Sequence, residues 1–144
     1  MDDMLSKYIS LIVKYFSQDE EVILAYLYGS YAKGNADRRS DVDIALLVRQ
    51  KPRLITKKEI AYALEIENII KNTEVDVRIL NDSPLAFQYQ VVKKGRLIFC
   101  RNQRLRVRYE SNLINEYLDF KPYIEYYDRC MYKNIKEGQL GYRR

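Results

Sequence analysis

Residues Val22 to Tyr28 form a continuous apolar run, Val-Ile-Leu-Ala-Tyr-Leu-Tyr. The run is too short for a typical helix and rich in strand formers, so it reads as a buried central strand. Gly29-Ser30 ends it, and ten residues separate that pair from Asp41-Val42-Asp43, which opens a second strand running from Asp41 to Val48. Alternate residues of a strand share a face, which points Asp41 and Asp43 the same way. Two carboxylates side by side repel unless a cation lies between them. Hard divalent ions such as Mg²⁺ take oxygen ligands and bridge to substrate phosphates. A Gly-Ser turn lets backbone N–H groups approach a phosphate closely. The combination suggests a metal-nucleotide site.

The pattern around these two strands predicts the remaining elements. Leu5, Tyr8, Ile9, Ile12, Val13 and Phe16 recur with the 3.6-residue period of an amphipathic helix over Asp3 to Phe16. Tyr31 to Ala36 reads as a short helical turn. After Pro52, Thr56 and Glu59 fit a T-x-x-E capping box for a helix reaching about Lys71, with Ile60, Ala63, Leu64 and Ile70 in its buried stripe. Val75 to Leu80 alternates as a third strand. Asn81-Asp82-Ser83-Pro84 turns the chain into a helix from Leu85 to Lys94 that stops at Gly95. Arg96 to Cys100 is a short extended segment. The pattern is helical again from Gln103, with a bend expected at Pro122 and a last helix from Tyr123 to about Glu137. The order predicts an α/β fold: one small mixed β-sheet packed with helices, followed by a C-terminal helical extension. Residues 1–144 read as one domain, with a core of about residues 1–100 and the helical segment over about 103–138.

Composition narrows the chemistry. The chain of 144 residues is 47% hydrophobic, which suits one globular domain. It contains no histidine, which removes Ser-His and Cys-His nucleophilic catalysis, zinc-histidine sites and imidazole as general base. Acid–base work falls to carboxylates, Lys, Tyr or metal-bound water. The two cysteines, Cys100 and Cys130, have no metal-ligand spacing and read as free thiols. With no basic signal segment and no apolar run long enough for a membrane span, a cytoplasmic location is expected. The net charge is +5. Ten Lys and Arg stand against six Asp and Glu from Arg101 onward. That surface could attract a nucleotide, a nucleic acid or an acidic protein, or simply be a solvated helix face.

A phosphoryl-transfer site needs several carboxylates converging on one point. Asp76 is the candidate third ligand, because it interrupts an otherwise apolar strand, where a carboxylate needs a partner or a metal. It could also take the proton from an attacking hydroxyl. An ion pair with Arg78 is the plainer reading of that residue. Lys33, Arg38 and Arg39 lie between the halves of the motif, where they would clamp phosphates or remain solvated.

Gly29-Ser30, ten residues, then Asp41-Val42-Asp43 resembles the GS-x10-DxD pattern of DNA polymerase β-like nucleotidyltransferases. The longer form, Gly-Ser-Tyr-Ala-Lys-Gly with Ser40-Asp41-Val42-Asp43-Ile44, is similar to the minimal nucleotidyltransferase (MNT) family. So are Glu74 to Leu80, Val91 to Cys100, and Tyr117 to Pro122. Together they resemble MNT antitoxins, which pair with HEPN-domain toxins. The resemblance implies the polymerase β-like fold and transfer of AMP from ATP, with Mg²⁺ (two ions), to a tyrosine hydroxyl of a HEPN ribonuclease. It assigns Asp41, Asp43 and Asp76 to metal and catalysis, and Gly29 and Ser30 to the triphosphate. Lys33 and Arg39 are expected as further nucleotide contacts from their place in the loop alone. The implied partners are ATP and the toxin, with no membrane and no direct nucleic acid contact.

Other readings stay open from the residues alone. The acceptor could be a small hydroxylated molecule of the aminoglycoside kind. The chain could silence a toxin by binding without catalysis, or bind nucleic acid through its basic charge. Fourteen tyrosines are present, including Tyr117, Tyr123, Tyr126, Tyr127 and Tyr132 near the end. They either form a toxin-binding surface or pack the last helices on the sheet.

Overall fold

The computed structural model describes residues 2–29, 41–71 and 73–136. Helix α1 spans Asp2–Ser17, strand β1 Val22–Tyr28, strand β2 Val42–Val48 and helix α2 Ile55–Ile70. Strand β3 spans Val75–Ile79 and runs into a 3-10 turn, Leu80–Asp82. Helix α3 (Leu85–Lys94), strand β4 (Arg96–Cys100) and helix α4 (Gln103–Lys136) follow. The helical turn expected over Tyr31 to Ala36 lies outside the described residues. Among the described residues, no helix is long and apolar enough to cross a membrane.

The sheet order is β3-β2-β1-β4. β1 runs antiparallel to both β2 and β4, while β2 and β3 are parallel. The sheet is therefore mixed, as expected, and β1 is central. Arg96 to Cys100 forms its fourth strand, which the short extended stretch after Gly95 did not reveal. Ile23 bulges out of the β1–β2 register. The bulge puts Ile23 and Leu24 in the same packing layer, and the run is apolar throughout because both faces of β1 are covered.

Each face of the sheet has its own layer. Ile12 and Phe16 of α1 and Tyr62, Ile66 and Ile70 of α2 cover Ala25, Leu27, Ile44, Leu46 and Val77. On the other face, Val91 and Phe87 of α3 and Leu105 and Tyr109 of α4 pack on Leu24, Tyr26 and Ala45. Asp43 alternates with the residues of the first layer, so it belongs to the second face.

Three expectations are corrected. The stripe of α2 is Tyr62, Ile66 and Ile70, while Ile60 and Leu64 are 54% and 60% exposed. This helix is apolar on more than one side, so periodicity alone could not choose the buried one. The capping box does not form: α2 begins at Ile55 after Leu54, without a side-chain cap. The Glu59 carboxylate instead accepts from Ile79 N at 2.8 Å, and Glu67 accepts from Val75 N at 2.8 Å. Both glutamates satisfy donors of the edge strand β3, which blunts that edge. Finally, α4 runs unbroken through Pro122. On an exposed stretch, the carbonyl that loses its proline partner can turn to water.

Among the described residues, the tyrosines beyond Pro122 do not pack on the sheet. Tyr123, Tyr126, Tyr127 and Tyr132 are all exposed. Tyr117 stacks on Tyr89 of α3, with ring centroids 3.8 Å apart and planes 9° apart.

Candidate nucleotidyl-transfer site

The site is set by strand register. Tyr28 at the end of β1 pairs with Asp43 of β2. Asp43 in turn pairs with Asp76 of β3. In adjacent strands, directly paired residues project from the same face, so three neighbouring strands deliver Tyr28, Asp43 and Asp76 to one end of the sheet. Asp41 lies one residue before β2 and is exposed. Among the described residues, no three carboxylates gather tightly enough to hold an ion. Asp43 and Asp76 form the close pair, and Asp41 stands at their margin.

The electrostatics record the crowding. Asp43 is raised above the ordinary aspartate pKa, first by burial, then by the charges of Asp76 and Asp41, with Arg78 opposing. Asp76 is held on one oxygen. Tyr28 Oη donates to its Oδ2 at 3.4 Å and Arg78 Nε donates to the same atom at 3.3 Å. The ion pair expected as the plainer reading of Asp76 therefore exists, and it coexists with the approach to Asp43. Tyr28 is pushed well above the usual tyrosine pKa by burial and by Asp76 and Asp43, so it stays a neutral donor.

Gly29 is fixed here for two reasons. Its φ is +72°, a left-handed conformation that side chains disfavour. A Cβ at this position would also collide with Asp43 Oδ2. The glycine that ends β1 thus lets the backbone pass directly against a site carboxylate. Ser30, Lys33, Arg38 and Arg39 lie outside the described residues.

Two clefts open beside the carboxylates. One, of about 430 Å³, is lined by Asp43, Asp76, Arg78, Pro84 and Phe87. The other, of about 260 Å³, is lined by Gly29, Phe87, Gln90, Val91 and Lys94. Tyr28 lines both. Sequence reasoning missed Tyr28, Phe87, Gln90 and Lys94 as site residues. Tyr28 carried one signal, since it precedes Gly29 on a strand whose neighbour carries Asp43. The residues of α3 carried none, because only the packing of α3 over β1 brings them in.

Comparison with known proteins follows the same outline. The family model described as Polymerase beta, Nucleotidyltransferase matches residues 11–104. The protein adenylyltransferase MntA of Shewanella oneidensis is 32% identical over 80 residues, which cover 56% of this chain and 55% of that protein. A relative from Methanocaldococcus jannaschii is 42% identical over 55 residues, 34% of this chain and 56% of its own length. The chain thus spans about half the length of the curated relatives it matches. A solved complex of a tri-AMPylated Shewanella oneidensis HEPN toxin with an MNT antitoxin contains a chain of the same fold. The match has a TM-score of 0.69 at 21% identity and covers 88% of this chain and 98% of that one.

Proposed function

The chain belongs to the polymerase beta nucleotidyltransferase family, and from that premise we propose that it is a Mg²⁺-dependent protein adenylyltransferase. It moves AMP from ATP to a tyrosine hydroxyl of a HEPN-domain ribonuclease toxin and serves as that toxin's antitoxin. The observation that carries the reading is the register pairing of Asp43 with Asp76, with Gly29 pressed against Asp43. The relative named protein adenylyltransferase and the fold match to an antitoxin complex support the acceptor class.

The donor set fits a hard divalent ion, since Asp43 and Asp76 line the same cleft with carboxylate oxygens and their mutual repulsion favours a cation between them. Asp43 and Asp76 would hold the ions, two in number, with Asp41 drawn in from the margin of the pair. When bound, Mg²⁺ neutralises triphosphate charge and that of the departing pyrophosphate. The chain's own residues do the rest. The backbone at Gly29, with Ser30, holds phosphate oxygens, and Lys33 and Arg39 add charge to that grip. Tyr28 and Arg78 engage Asp76 Oδ2, which leaves Oδ1 to face the acceptor hydroxyl and take its proton. The hydroxyl oxygen bonds to the α-phosphorus, the bond from that phosphorus to the pyrophosphate oxygen breaks, and pyrophosphate leaves.

The test uses the purified protein, ATP, Mg²⁺ and a HEPN-domain protein encoded beside it. Peptide mass spectrometry is expected to find AMP on a tyrosine of that partner, with its ribonuclease activity lost in proportion. A partner that is silenced while carrying no AMP would replace catalysis with inhibition by binding alone.

A further inference from the structure

Helix α4 carries one long row of mostly apolar residues that the fold uses only at its start. From Leu113 the row runs through Tyr117, Phe120, Ile124, Tyr127 and Met131 to Asn134, in alternating steps of four and three residues. That is the heptad spacing of a helix whose seam faces another helix. Pro122, Arg129 and Lys136 fall on the opposite side. Leu113 is the one buried residue of α4 among those described, and Tyr117 stacks on Tyr89 of α3. Beyond them the row leaves the domain. Phe120 and Tyr127 are 51% and 62% exposed, and Ile124 and Met131 are only partly buried. Tyr117 to Asn134 covers about 26 Å at the α-helical rise.

We propose that this row is a self-association seam, on which the α4 helices of two copies of the chain pack antiparallel. The row is complementary to its own reverse. When Ile124 of one copy meets Tyr127 of the other, the same register sets Phe120 on Met131 and Tyr117 against Asn134. A two-fold axis between the Ile124 and Tyr127 layers then repeats every contact, as a closed symmetric dimer requires. The residues flanking the seam agree with that register. Lys121 of each copy faces Asp128 of the other, which gives two opposite-charge pairs at positions that set orientation in coiled coils. Ile114 faces Ile135, both exposed in the single chain, and Tyr123 covers Cys130. A row made for an unrelated helix has no reason to match its own reverse in both its apolar layers and its charges, so a second copy is the occupant that the sequence fits. The domain fixes the direction. Leu113 belongs to the same row and is buried, so the domain occupies the seam side of α4 before Tyr117. Parallel helices would bring both domains together at one end of the seam, whereas antiparallel helices carry one domain at each end. So short a seam belongs to the small, weak class of interfaces, with an expected dimer Kd of about 10 µM. At about 1 µM the chain is then monomeric, and its thermal stability there does not depend on the seam.

The experiment is sedimentation equilibrium of the full chain between about 1 and about 100 µM, with helix content and Tm of each variant recorded at about 1 µM. The wild type should move from the mass of one chain toward that of two. Ile124→Asp buries a charge at the centre of the seam and should raise the dimer Kd at least about tenfold, with helix content and Tm unchanged. Lys121→Glu and Asp128→Lys each place like charges opposite one another, and each should raise Kd about fivefold. The double exchange, Lys121→Glu with Asp128→Lys, should return Kd to within about twofold of the wild type. A parallel pair could not recover in this way, because Lys121 would there face Glu116 of the other copy and the exchange would leave two acids opposed. A double variant as weak as the single ones therefore overturns the antiparallel register. A wild type that stays monomeric at about 100 µM, or a dimer indifferent to Ile124→Asp, overturns the seam itself. If the monomeric wild type instead binds the proposed HEPN-domain partner and Ile124→Asp loses that binding, the row serves a different protein and self-association is likewise overturned.

Discussion

Gly29 and Asp43 define one another. An alanine here would take a disfavoured positive φ and push the Asp43 carboxylate out of place. Gly29→Ala should therefore destabilise the fold by about 1–2 kcal/mol, read by urea unfolding, and reduce transfer more than that loss explains. Full activity in this variant would remove Gly29 from the site. Asp43 itself sits at a cost. An acid whose folded pKa is raised holds its proton more readily in the native state, so its ionised form destabilises the protein at neutral pH. That penalty is absent once the pH falls below the ordinary aspartate value of about 3.9. In the absence of Mg²⁺ at pH 7, Asp43→Asn should raise Tm while abolishing transfer. A fall in Tm would mean that Asp43 is a structural carboxylate.

At the scale of elements, alternation along the strands made Asp43 and Asp76 legible, because a period of two fixes which residues share a face. Helix α2 was less legible, since its apolar residues wrap more than one side and Glu59 bonds β3 instead of closing its own cap. Arg101 left no signal in the sequence, although it ties three elements together. Its guanidinium donates to the carbonyls of Phe16 at 2.9 Å, Asp19 at 3.0 Å and Val22 at 2.8 Å, and lies over the Phe99 ring. A cation at the end of α1 also complements the helix dipole. Arg101→Ala should cost about 2–3 kcal/mol of stability, with Arg101→Lys recovering only part. Denaturant midpoints check this, and an unchanged midpoint would make the contacts incidental.

Across the whole molecule, the carboxylates were readable because one motif and one alternating strand carry them, whereas Tyr28, Phe87, Gln90 and Lys94 join the site only through tertiary packing of β1 and α3. The far end of α4 illustrates the same divide. Its apolar residues read equally as core or as surface, and the structure leaves Tyr123, Tyr126, Tyr127 and Tyr132 exposed while Leu113 is buried. Ending the chain after Phe120 should accordingly shift Tm by no more than about 4 °C. A drop beyond about 10 °C would show that the distal half of α4 supports the core. The most direct test of the account compares the wild type, Asp43→Asn and Asp76→Asn for AMP transfer from α-labelled ATP to the proposed HEPN-domain acceptor, with Mg²⁺ present and each protein shown to be folded. The wild type should label the partner, and both variants should lose labelling by at least about a thousandfold. Undiminished labelling by either folded variant would contradict a transfer centre built on the Asp43–Asp76 pair.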